Sequence, residues 1–301
     1  MRIVLFGKNG QVGWELNSIL PKLGEVTSLG RDDLDVSNTK AVQRILDEIK
    51  HDLIINASAF TDVDGAEKDP ELATKINALA PAAMAESARK TGASLIHFST
   101  DYVFDGKKDS PYKENDHPNP LNIYGKSKLA GESFIDQTGG AYLILRTSWV
   151  YSLRGNTFVN KVLGWARRNK TLKIVSDQIS NPTWARELAK ATTSIVIQNK
   201  ANLFEAIGEK SGIYHLAGSG YTSRYEWAKH ILLNNQHQTE QLVRSIEPVT
   251  SNEFPTPAIR PLFSAMDCSK ILETFNIRLP DWRESLQKAM SEHNSMRDDT
   301  Q

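Results

Sequence analysis

Residues 3–16 read IVLFGKNGQVGWEL, a short apolar run followed by a turn with three glycines and the start of a helix. Glycine at Gly7, Gly10 and Gly13 allows a sharp turn, a close approach of backbone N–H groups to a pyrophosphate, and tight packing of the helix on the sheet. The steps between these glycines differ from the G-x-G-x-x-G spacing of many dehydrogenases. The stretch therefore predicts a variant of the dinucleotide-binding turn.

Four short apolar runs in residues 3–145 are too brief for helices, and each is separated from the next by enough residues for a helical crossover, while Val26 to Leu29 is a further predicted strand. One segment has a capping residue, Asn38 or Thr39, ahead of apolar side chains at helical spacing, and Pro81 to Lys90 is rich in alanine. This alternation predicts an α/β fold, a Rossmann-type doubly wound parallel sheet. The predicted strands are Ile3 to Phe6, Val26 to Leu29, Leu53 to Ile55, Leu95 to Phe98 and Tyr142 to Leu145.

The pattern changes after about residue 150, which indicates a smaller C-terminal domain. We expect a dinucleotide-binding domain at residues 1–150 and a mainly substrate-binding domain at 151–301, which returns strands and helices to the main sheet from about 172–217. Three prolines in residues 255–261 predict an extended loop that positions a ligand contact. The later predicted elements are strands at 172–175 and 213–216 and helices at 156–168, 224–234, 267–274 and 281–293.

Composition excludes several classes of function. The 301 residues carry 36 Lys+Arg and 36 Asp+Glu, so there is no general electrostatic attraction to nucleic acid or to an anionic membrane. No apolar run approaches the roughly 20 residues of a membrane helix, and the single cysteine, Cys268, permits no internal disulfide. We therefore expect a cytoplasmic protein. The seven histidines include no pair at zinc-like spacing, and we interpret them as surface or packing residues.

Tyr124 and Lys128 lie one turn apart at the start of a predicted helix, and therefore on one face of it. A phenol with a pKa of about 10 is a weak proton donor at neutral pH, and a neighbouring ammonium group favours the phenolate. That makes the tyrosine usable for acid–base catalysis. Ser99 and Thr100 follow the fourth strand, at the sheet edge where ligands bind. We expect a hydroxyl there to bond a substrate carbonyl beside Tyr124.

The end of the second predicted strand bears on the choice of nicotinamide cofactor. An arginine at this position, Arg31, suits the 2′-phosphate of NADPH, whereas the acidic residue that follows, Asp32, suits the 2′-hydroxyl of NADH. Arg31 favours NADPH, but the sequence leaves both cofactors open.

Further motifs occur in order along nearly the whole chain. With the glycine turn and the Tyr/Lys pair, they resemble the dTDP-4-dehydrorhamnose reductases, a family of extended short-chain dehydrogenase/reductases. The resemblance implies reduction of the 4-keto group of dTDP-4-dehydro-L-rhamnose by NADH or NADPH, which yields dTDP-L-rhamnose. The stretches that carry it are Leu5 to Leu16, Asn56 to Glu67, His97 to Gly106, Pro120 to Glu132, Arg146 to Tyr151 and Pro255 to Pro261.

The resemblance also implies roles for individual residues. Tyr124 would donate the proton, Lys128 would support it and bind the nicotinamide ribose, and Thr100 would hold the keto oxygen. A dTDP-sugar would contact Asp101, Trp149 and Arg260. A homodimer with Mg²⁺ held by Glu15 and Glu187 is a further implication. The cofactor-binding residues would be Gly7, Gly10, Gln11, Val12 and Gly13 at the pyrophosphate, Asp35 and Val36 at the adenine, and Ala59, Phe60 and Thr61 at the ribose. Arg31 stands where some members of the family have an acidic residue, so its predicted contact with the cofactor rests on its own chemistry.

Three alternatives stay open at this level. The chain could reduce another nucleotide 4-keto-6-deoxysugar. It could be a 4,6-dehydratase or 4-epimerase, which share the fold and the Tyr/Lys pair. Dehydratases place an Asp-Glu pair after the strand-end threonine, whereas here Asp101 is followed by Tyr102, which argues against elimination. It could also be a non-catalytic regulatory subunit of the methionine adenosyltransferase beta type. Retention of Tyr124, Lys128 and Thr100 together argues against that function.

Overall fold

The computed structural model of the chain describes residues 1–236 and 238–298. Twelve strands are present in this part of the chain. In chain order they are β1 (Arg2–Phe6), β2 (Glu25–Leu29), β3 (Leu53–Asn56), β4 (Ser94–Thr100), β5 (Tyr142–Thr147), β6 (Val150–Tyr151), β7 (Thr171–Val175), β8 (Ile179–Ser180), β9 (Thr183–Trp184), β10 (Gly212–His215), β11 (Thr222–Ser223) and β12 (Ser245–Val249).

The main sheet has six parallel strands in the order β10-β5-β4-β3-β1-β2. All five strands predicted in the first half of the chain are in it, so the predicted doubly wound α/β class is confirmed. The chain passes from β1 to β2 on one side and then returns to place β3 on the other side of β1. This reversal creates a switch point at the carboxyl ends of β1 and β3, where doubly wound sheets bind their ligands.

Twelve α-helices accompany the strands in the described residues, and none is long and apolar enough to cross a membrane. Asn38 caps α2 by accepting a hydrogen bond from the N–H of Ala41, as its position before an apolar helical pattern predicts. The helices are α1 (Gln11–Ile19), α2 (Thr39–Glu48), α3 (Val63–Lys68), α4 (Pro70–Thr74), α5 (Ala80–Thr91), α6 (Ile123–Thr138), α7 (Phe158–Ala166), α8 (Ala185–Gln198), α9 (Leu203–Gly208), α10 (Arg224–Leu233), α11 (Ser269–Phe275) and α12 (Trp282–Asp298).

The main sheet is covered by apolar side chains on both faces. On one face, residues of α1, α8, α9 and α11 pack against the strands, and on the other the contacts come from α2, α5 and α6. Burial on both faces explains why strands such as β3 and β4 are continuous apolar runs rather than alternating patterns. The helices therefore hold the carboxyl ends of the strands in fixed relative positions.

A third apolar cluster joins α7, α10 and α12 to β7 and β9. The predicted strand at 172–175 exists as β7, but it pairs with β12 in a separate two-stranded sheet, so the expectation that it returns to the main sheet is wrong. Only alternate residues of β7, Leu172 and Ile174, are buried, which suits a strand with one covered face. The strand predicted at 213–216 does join the main sheet as β10, beside β5. The division of the chain at residue 150 stays a prediction.

Candidate active site

The glycine turn lies at the switch point between β1 and β3. Gly7 has a φ of +87°, and a side chain there would come within 2.6 Å of the backbone of Ala57, which follows β3. A side chain at Gly13 would lie 2.0 Å from the carbonyl oxygen of Gly7, so only glycine lets α1 begin this close to the turn. Gly10 caps α1 without a side-chain hydrogen bond. The first turn of α1, with Gln11 and Val12, therefore presents backbone N–H groups suited to a pyrophosphate.

The end of β2 is tied to this turn. The N–H of Gly7 donates to the carbonyl oxygen of Leu29 over 2.8 Å, and Lys8 forms an ion pair with Asp33 over 2.6 Å. Asp33 also accepts from the N–H of Gly30 over 2.7 Å, and these bonds hold the pKa of its carboxyl below the usual value. The segment that follows β2 is thereby fixed beside the pyrophosphate turn.

Three residues predicted to contact the adenosine half of the cofactor lie in this segment. Arg31 and Asp35 are exposed, and Val36 is half-buried against the apolar layer of α2 and α5. Hydrogen bonds from Ser37 lower the pKa of Asp35, and the positive charge of Arg31 acts in the same direction. The positive charge of Lys8 is already paired with Asp33. Arg31 is therefore the exposed cation at this end of β2 that suits a phosphate.

The segment Ala59 to Thr61, predicted to contact the ribose, is held by a side chain from another part of the chain. Asn77 accepts from the N–H of Phe60 over 2.8 Å and donates to its carbonyl oxygen over 3.1 Å. The same amide donates to the hydroxyl of Ser127 in α6 over 3.0 Å. Asn77 lies in a π-helix, Lys75–Leu79, that joins α4 to α5, and such irregularities often occur at functional sites.

Tyr124 stands in the first turn of α6, at the carboxyl edge of the sheet. Asn122 caps this helix by accepting from the N–H of Gly125 over 2.8 Å. The ring of Tyr124 packs edge-on against Tyr102, with ring centres 5.7 Å apart. Burial raises the pKa of Tyr124, and the neighbouring Thr100 hydroxyl opposes this rise. The phenol therefore keeps its proton in the resting protein.

Lys128 is buried one turn further along α6, and its amine points away from solvent. It donates to the carbonyl oxygen of Phe98 over 2.7 Å and lies 3.1 Å from Nε2 of His97. Burial lowers its pKa to about 8. We expected this ammonium group to favour the phenolate of Tyr124, but burial dominates and the pKa of Tyr124 rises.

The two hydroxyls at the end of β4 have different surroundings. Ser99 donates to the carboxylate of Glu132 over 2.5 Å, and Glu132 forms a buried ion pair with Arg146 over 2.6 Å. Thr100 accepts from the N–H of Tyr102 and donates to Asp101 over 3.1 Å. Thr100 is therefore the hydroxyl beside Tyr124, and Ser99 belongs to a buried polar cluster.

Asp101, predicted to contact the substrate, is only 2% exposed. Its second carboxylate oxygen accepts from Ser180 over 3.1 Å and from Ser264 over 2.5 Å. Burial raises its pKa to about 6, although the three hydroxyls act in the opposite direction. In this arrangement the carboxylate holds Thr100 and the elements around it, and its contact with a sugar stays a prediction.

Trp149 has a backbone conformation that is rare for a residue with a side chain, with a φ of +40°. Its ring stacks on Trp227 with ring centres 5.5 Å apart, and the guanidinium of half-buried Arg224 lies 3.6 Å above it. Strained residues of this kind are concentrated at ligand sites. Trp149 and Arg224 therefore form one wall of the candidate site, next to Tyr102.

A second guanidinium reaches the same place from the loop at 255–261. Arg260 pairs with Asp64 over 2.8 Å, and both Arg260 and Arg224 hydrogen-bond to Tyr102. The loop is held against the start of α6 because Asn122 donates to the carbonyl oxygen of Ile259 over 2.8 Å. In the described part of the chain, Arg224 has no carboxylate within ion-pair distance, so its charge is available to an anion.

The two carboxylates predicted to bind Mg²⁺ each lie against a cationic side chain of the same chain. Glu15 accepts from Arg186 over 3.0 Å, and Glu187 pairs with Lys190 over 3.0 Å. Within residues 1–236 and 238–298, no group of three or more His, Cys, Asp or Glu side chains is placed to hold a metal ion. These carboxylates already have cationic partners of the chain itself, and the prediction of Mg²⁺ ligands is not supported.

Comparison with known proteins identifies the family. The family model described as the RmlD substrate binding domain matches residues 1–295. The dTDP-4-dehydrorhamnose reductase of Burkholderia thailandensis is 39% identical over 290 residues, which cover 94% of this chain and 96% of that protein. The chain belongs to the dTDP-4-dehydrorhamnose reductase family.

Solved structures of dTDP-4-dehydrorhamnose reductases have the same fold. The enzyme of Clostridium acetobutylicum is 36% identical and superposes with a TM-score of 0.88, covering 98% of this chain and all of that one. The enzyme of Bacillus anthracis, solved in complex with NADP, is 34% identical with a TM-score of 0.85, covering 97% of this chain and 99% of that one.

The sequence of this member of the dTDP-4-dehydrorhamnose reductase family does not predict several of the side chains at the site. Asn77 and Arg224 lie on helices far from the glycine turn, and nothing local to them indicates a site. His97, predicted to be a surface or packing residue, is fully buried and its ring lies against Lys128. Its place in the middle of an apolar strand was the one available signal, since a buried polar group needs a partner.

Proposed function

We propose that this chain reduces the 4-keto group of dTDP-4-dehydrorhamnose to the hydroxyl of dTDP-rhamnose, with a nicotinamide cofactor as reductant. The observation that carries the proposal is the hydroxyl pair of Tyr124 and Thr100 at the carboxyl edge of the sheet. It lies on the same edge as a glycine turn that suits a pyrophosphate. Relatives that share more than a third of the sequence over nearly its full length are named for this reaction, which supports the substrate.

Tyr124 is the proton donor in this proposal. Burial keeps the proton on the phenol in the resting protein, so Tyr124 is in the protonated form that a general acid needs. The Thr100 hydroxyl, which donates to Asp101 in the resting protein, turns its single proton to the keto oxygen when the sugar binds and so gives a second hydrogen bond. Lys128 binds the ribose hydroxyls and supports the proton transfer from the next turn of α6. The bound cofactor supplies the hydride.

We place the diphosphate of the dTDP-sugar at the guanidinium of Arg224. This side chain lies over Trp149 and has no carboxylate partner in the described residues, whereas Arg260 is neutralised by Asp64. A guanidinium can form two parallel hydrogen bonds with phosphate oxygens. Tyr102 joins both arginines, so the diphosphate end of the substrate is held close to Tyr124.

The site lacks the side chains needed for elimination of water, the dehydratase reaction. The residue after Asp101 is Tyr102 rather than glutamate, and the carboxylate of Asp101 is bonded by three hydroxyls. A carboxylate used in this way is not free to remove a proton from the sugar. Reduction needs only the hydroxyl pair that the site contains.

Consumption of NADPH with a panel of sugar nucleotides tests the substrate. We expect oxidation of NADPH with dTDP-4-dehydro-L-rhamnose and none with dTDP-glucose, because the latter has no keto group to reduce. UDP-linked 4-keto sugars of the same ring configuration serve as a control for the nucleotide. If no dTDP-ketosugar consumes NADPH or NADH, the proposed function is wrong.

Arg31→Ala tests the preference for NADPH that we propose. A charged hydrogen-bonded contact contributes about 1.5–3 kcal/mol, so its loss corresponds to roughly 10- to 150-fold in affinity, with the lower end expected for an exposed side chain. We expect the KM for NADPH to rise by about 10-fold and the KM for NADH to stay nearly constant, both measured at one ionic strength. Arg44→Ala, another exposed arginine, is the matched control. Equal changes for the two cofactors would show that Arg31 does not bind the 2′-phosphate.

A cytoplasmic location and a homodimer remain proposals. A nucleotide-sugar substrate and a single cysteine support the first. The family resemblance supports the second, without the Mg²⁺ site that was expected to join the two copies.

A further inference from the structure

A buried chain of hydrogen bonds leads from the end of β3 to the amine of Lys128. Asn56 and His97, on neighbouring strands, are both fully buried. The carbonyl oxygen of the Asn56 side chain accepts from the N–H of Ser58 over 3.0 Å and from its hydroxyl over 2.6 Å. A backbone N–H can only donate, so these bonds fix the orientation of the amide. Its NH₂ group therefore faces Nδ1 of His97, 3.0 Å away.

The orientation of Asn56 determines which ring nitrogen of His97 carries a proton. Nδ1 accepts from the amide, so a neutral ring carries its proton on Nε2. The ring is neutral because burial lowers the pKa of His97 well below its usual value, and the charge of Lys128 acts in the same direction. The Nε2–H group then points at Nζ of Lys128, 3.1 Å away.

An ammonium group cannot accept a hydrogen bond, whereas an uncharged amine can. With an uncharged amine, Lys128 accepts from His97 and donates to the carbonyl oxygen of Phe98, so each of these contacts joins a donor to an acceptor. With an ammonium group, two donors face each other across 3.1 Å in a buried place. The geometry therefore disfavours the charged form of the Lys128 amine at this position.

We propose that His97 is a positioning residue that favours the uncharged form of Lys128 in the resting protein, so that binding of the cofactor draws a proton onto this amine. The inference rests on the proposed function only in giving Lys128 the ribose hydroxyls as its partner. Lys128 gains its charge when its amine turns from Nε2 of His97 to those hydroxyls, which can accept from it, and Tyr124 then has a cation one turn away during the proton transfer.

Other ionisable groups around Lys128 do not replace His97 in this role. Glu132, one turn further along α6, favours the charged amine, but its carboxylate is already bound to Arg146. Tyr124 keeps its proton and carries no charge. Asp101 and Tyr102 after β4 and Glu67 of α3 also lie close to this part of α6, and Glu67 accepts from the N–H of Ile123.

Proton uptake on cofactor binding measures this effect directly. NADPH is titrated into the full-length protein by calorimetry at about pH 8.5, in several buffers that differ in ionisation enthalpy, and the slope gives the protons bound per NADPH. The pKa of the resting amine, about 8, predicts uptake of roughly 0.7 proton in the wild type. Uptake near zero in the wild type would overturn the proposal.

Two nearly isosteric variants reverse the hydrogen-bond direction. In Asn56→Asp the carboxylate accepts from Nδ1–H, so Nε2 becomes an acceptor for the ammonium group. In His97→Gln the amide oxygen can accept from it. Both are expected to raise the pKa of the resting amine by one unit or more, which reduces proton uptake at this pH at least about threefold. The second variant keeps the test available if the first does not fold.

Ser58→Ala is the matched control, because it keeps the N–H that orients Asn56 and should leave the proton uptake at the wild-type value. If His97 were only a packing residue, His97→Gln and Asn56→Asp would weaken NADPH binding with the proton count unchanged, and that result would overturn the proposal. The titration contains no sugar, so it is independent of the reductase assay. A failed assay with normal proton uptake would contradict the proposed function alone.

Discussion

Replacement of Tyr124 by phenylalanine is expected to lower kcat by about 100-fold or more, while the Kd for NADPH stays at the wild-type value. The ring and its contact with Tyr102 remain, and only the proton that the sugar oxygen needs is removed. Positioned acid catalysis contributes factors on the order of 10²–10⁴. Steady-state rates with dTDP-4-dehydro-L-rhamnose and a fluorescence titration with NADPH give the two quantities.

Tyr221→Phe is the matched control for this variant, since Tyr221 is exposed and its ring packs edge-on against Phe263. It should turn over at the wild-type rate. A Tyr124→Phe enzyme that works at a rate close to that of the control would show that another group delivers the proton.

Lys128→Met is expected to lose turnover by a similar factor and to weaken NADPH binding by roughly 10- to 150-fold, because one amine serves both steps. Methionine fills much the same volume, so the effect on packing in this buried place is small. Lys126→Met, two residues earlier on the exposed side of α6, is the control. Loss of turnover with an unchanged Kd for NADPH would remove the ribose contact from the role of Lys128.

The class of fold was readable from the sequence because it depends on local patterns. Four of the five strands of the first half, β1, β3, β4 and β5, contain a buried apolar run, and Asn38 marks a helix start by its own chemistry. The strand with which β7 pairs could not be predicted from the sequence. Its pairing with β12 joins segments about 70 residues apart, and nothing in either segment distinguishes that partner from the main sheet.

At the candidate site, too, local patterns could be predicted from the sequence and distant partners could not. Residues at strand ends and in the glycine turn, such as Gly7 and Thr100, were found because a parallel sheet brings the carboxyl ends of its strands to one edge. His97 and Arg224 were missed, because what makes them functional is a partner distant in sequence. The prediction that Glu15 binds Mg²⁺ lacks support for a similar reason. Its cationic partner, Arg186, lies 171 residues away in the sequence.

Transfer of labelled hydride to the sugar tests the proposed reaction most directly. NADPH carrying deuterium at C4 of the nicotinamide, in each of its two stereoisomers, is supplied to the wild-type protein with dTDP-4-dehydro-L-rhamnose, and the product is analysed by NMR. We predict one deuterium at C4 of the rhamnose for each labelled hydride consumed, from one of the two stereoisomers only. Deuterium at another carbon, or a 4-keto sugar that remains intact while NADPH is not consumed, would contradict the reduction proposed here.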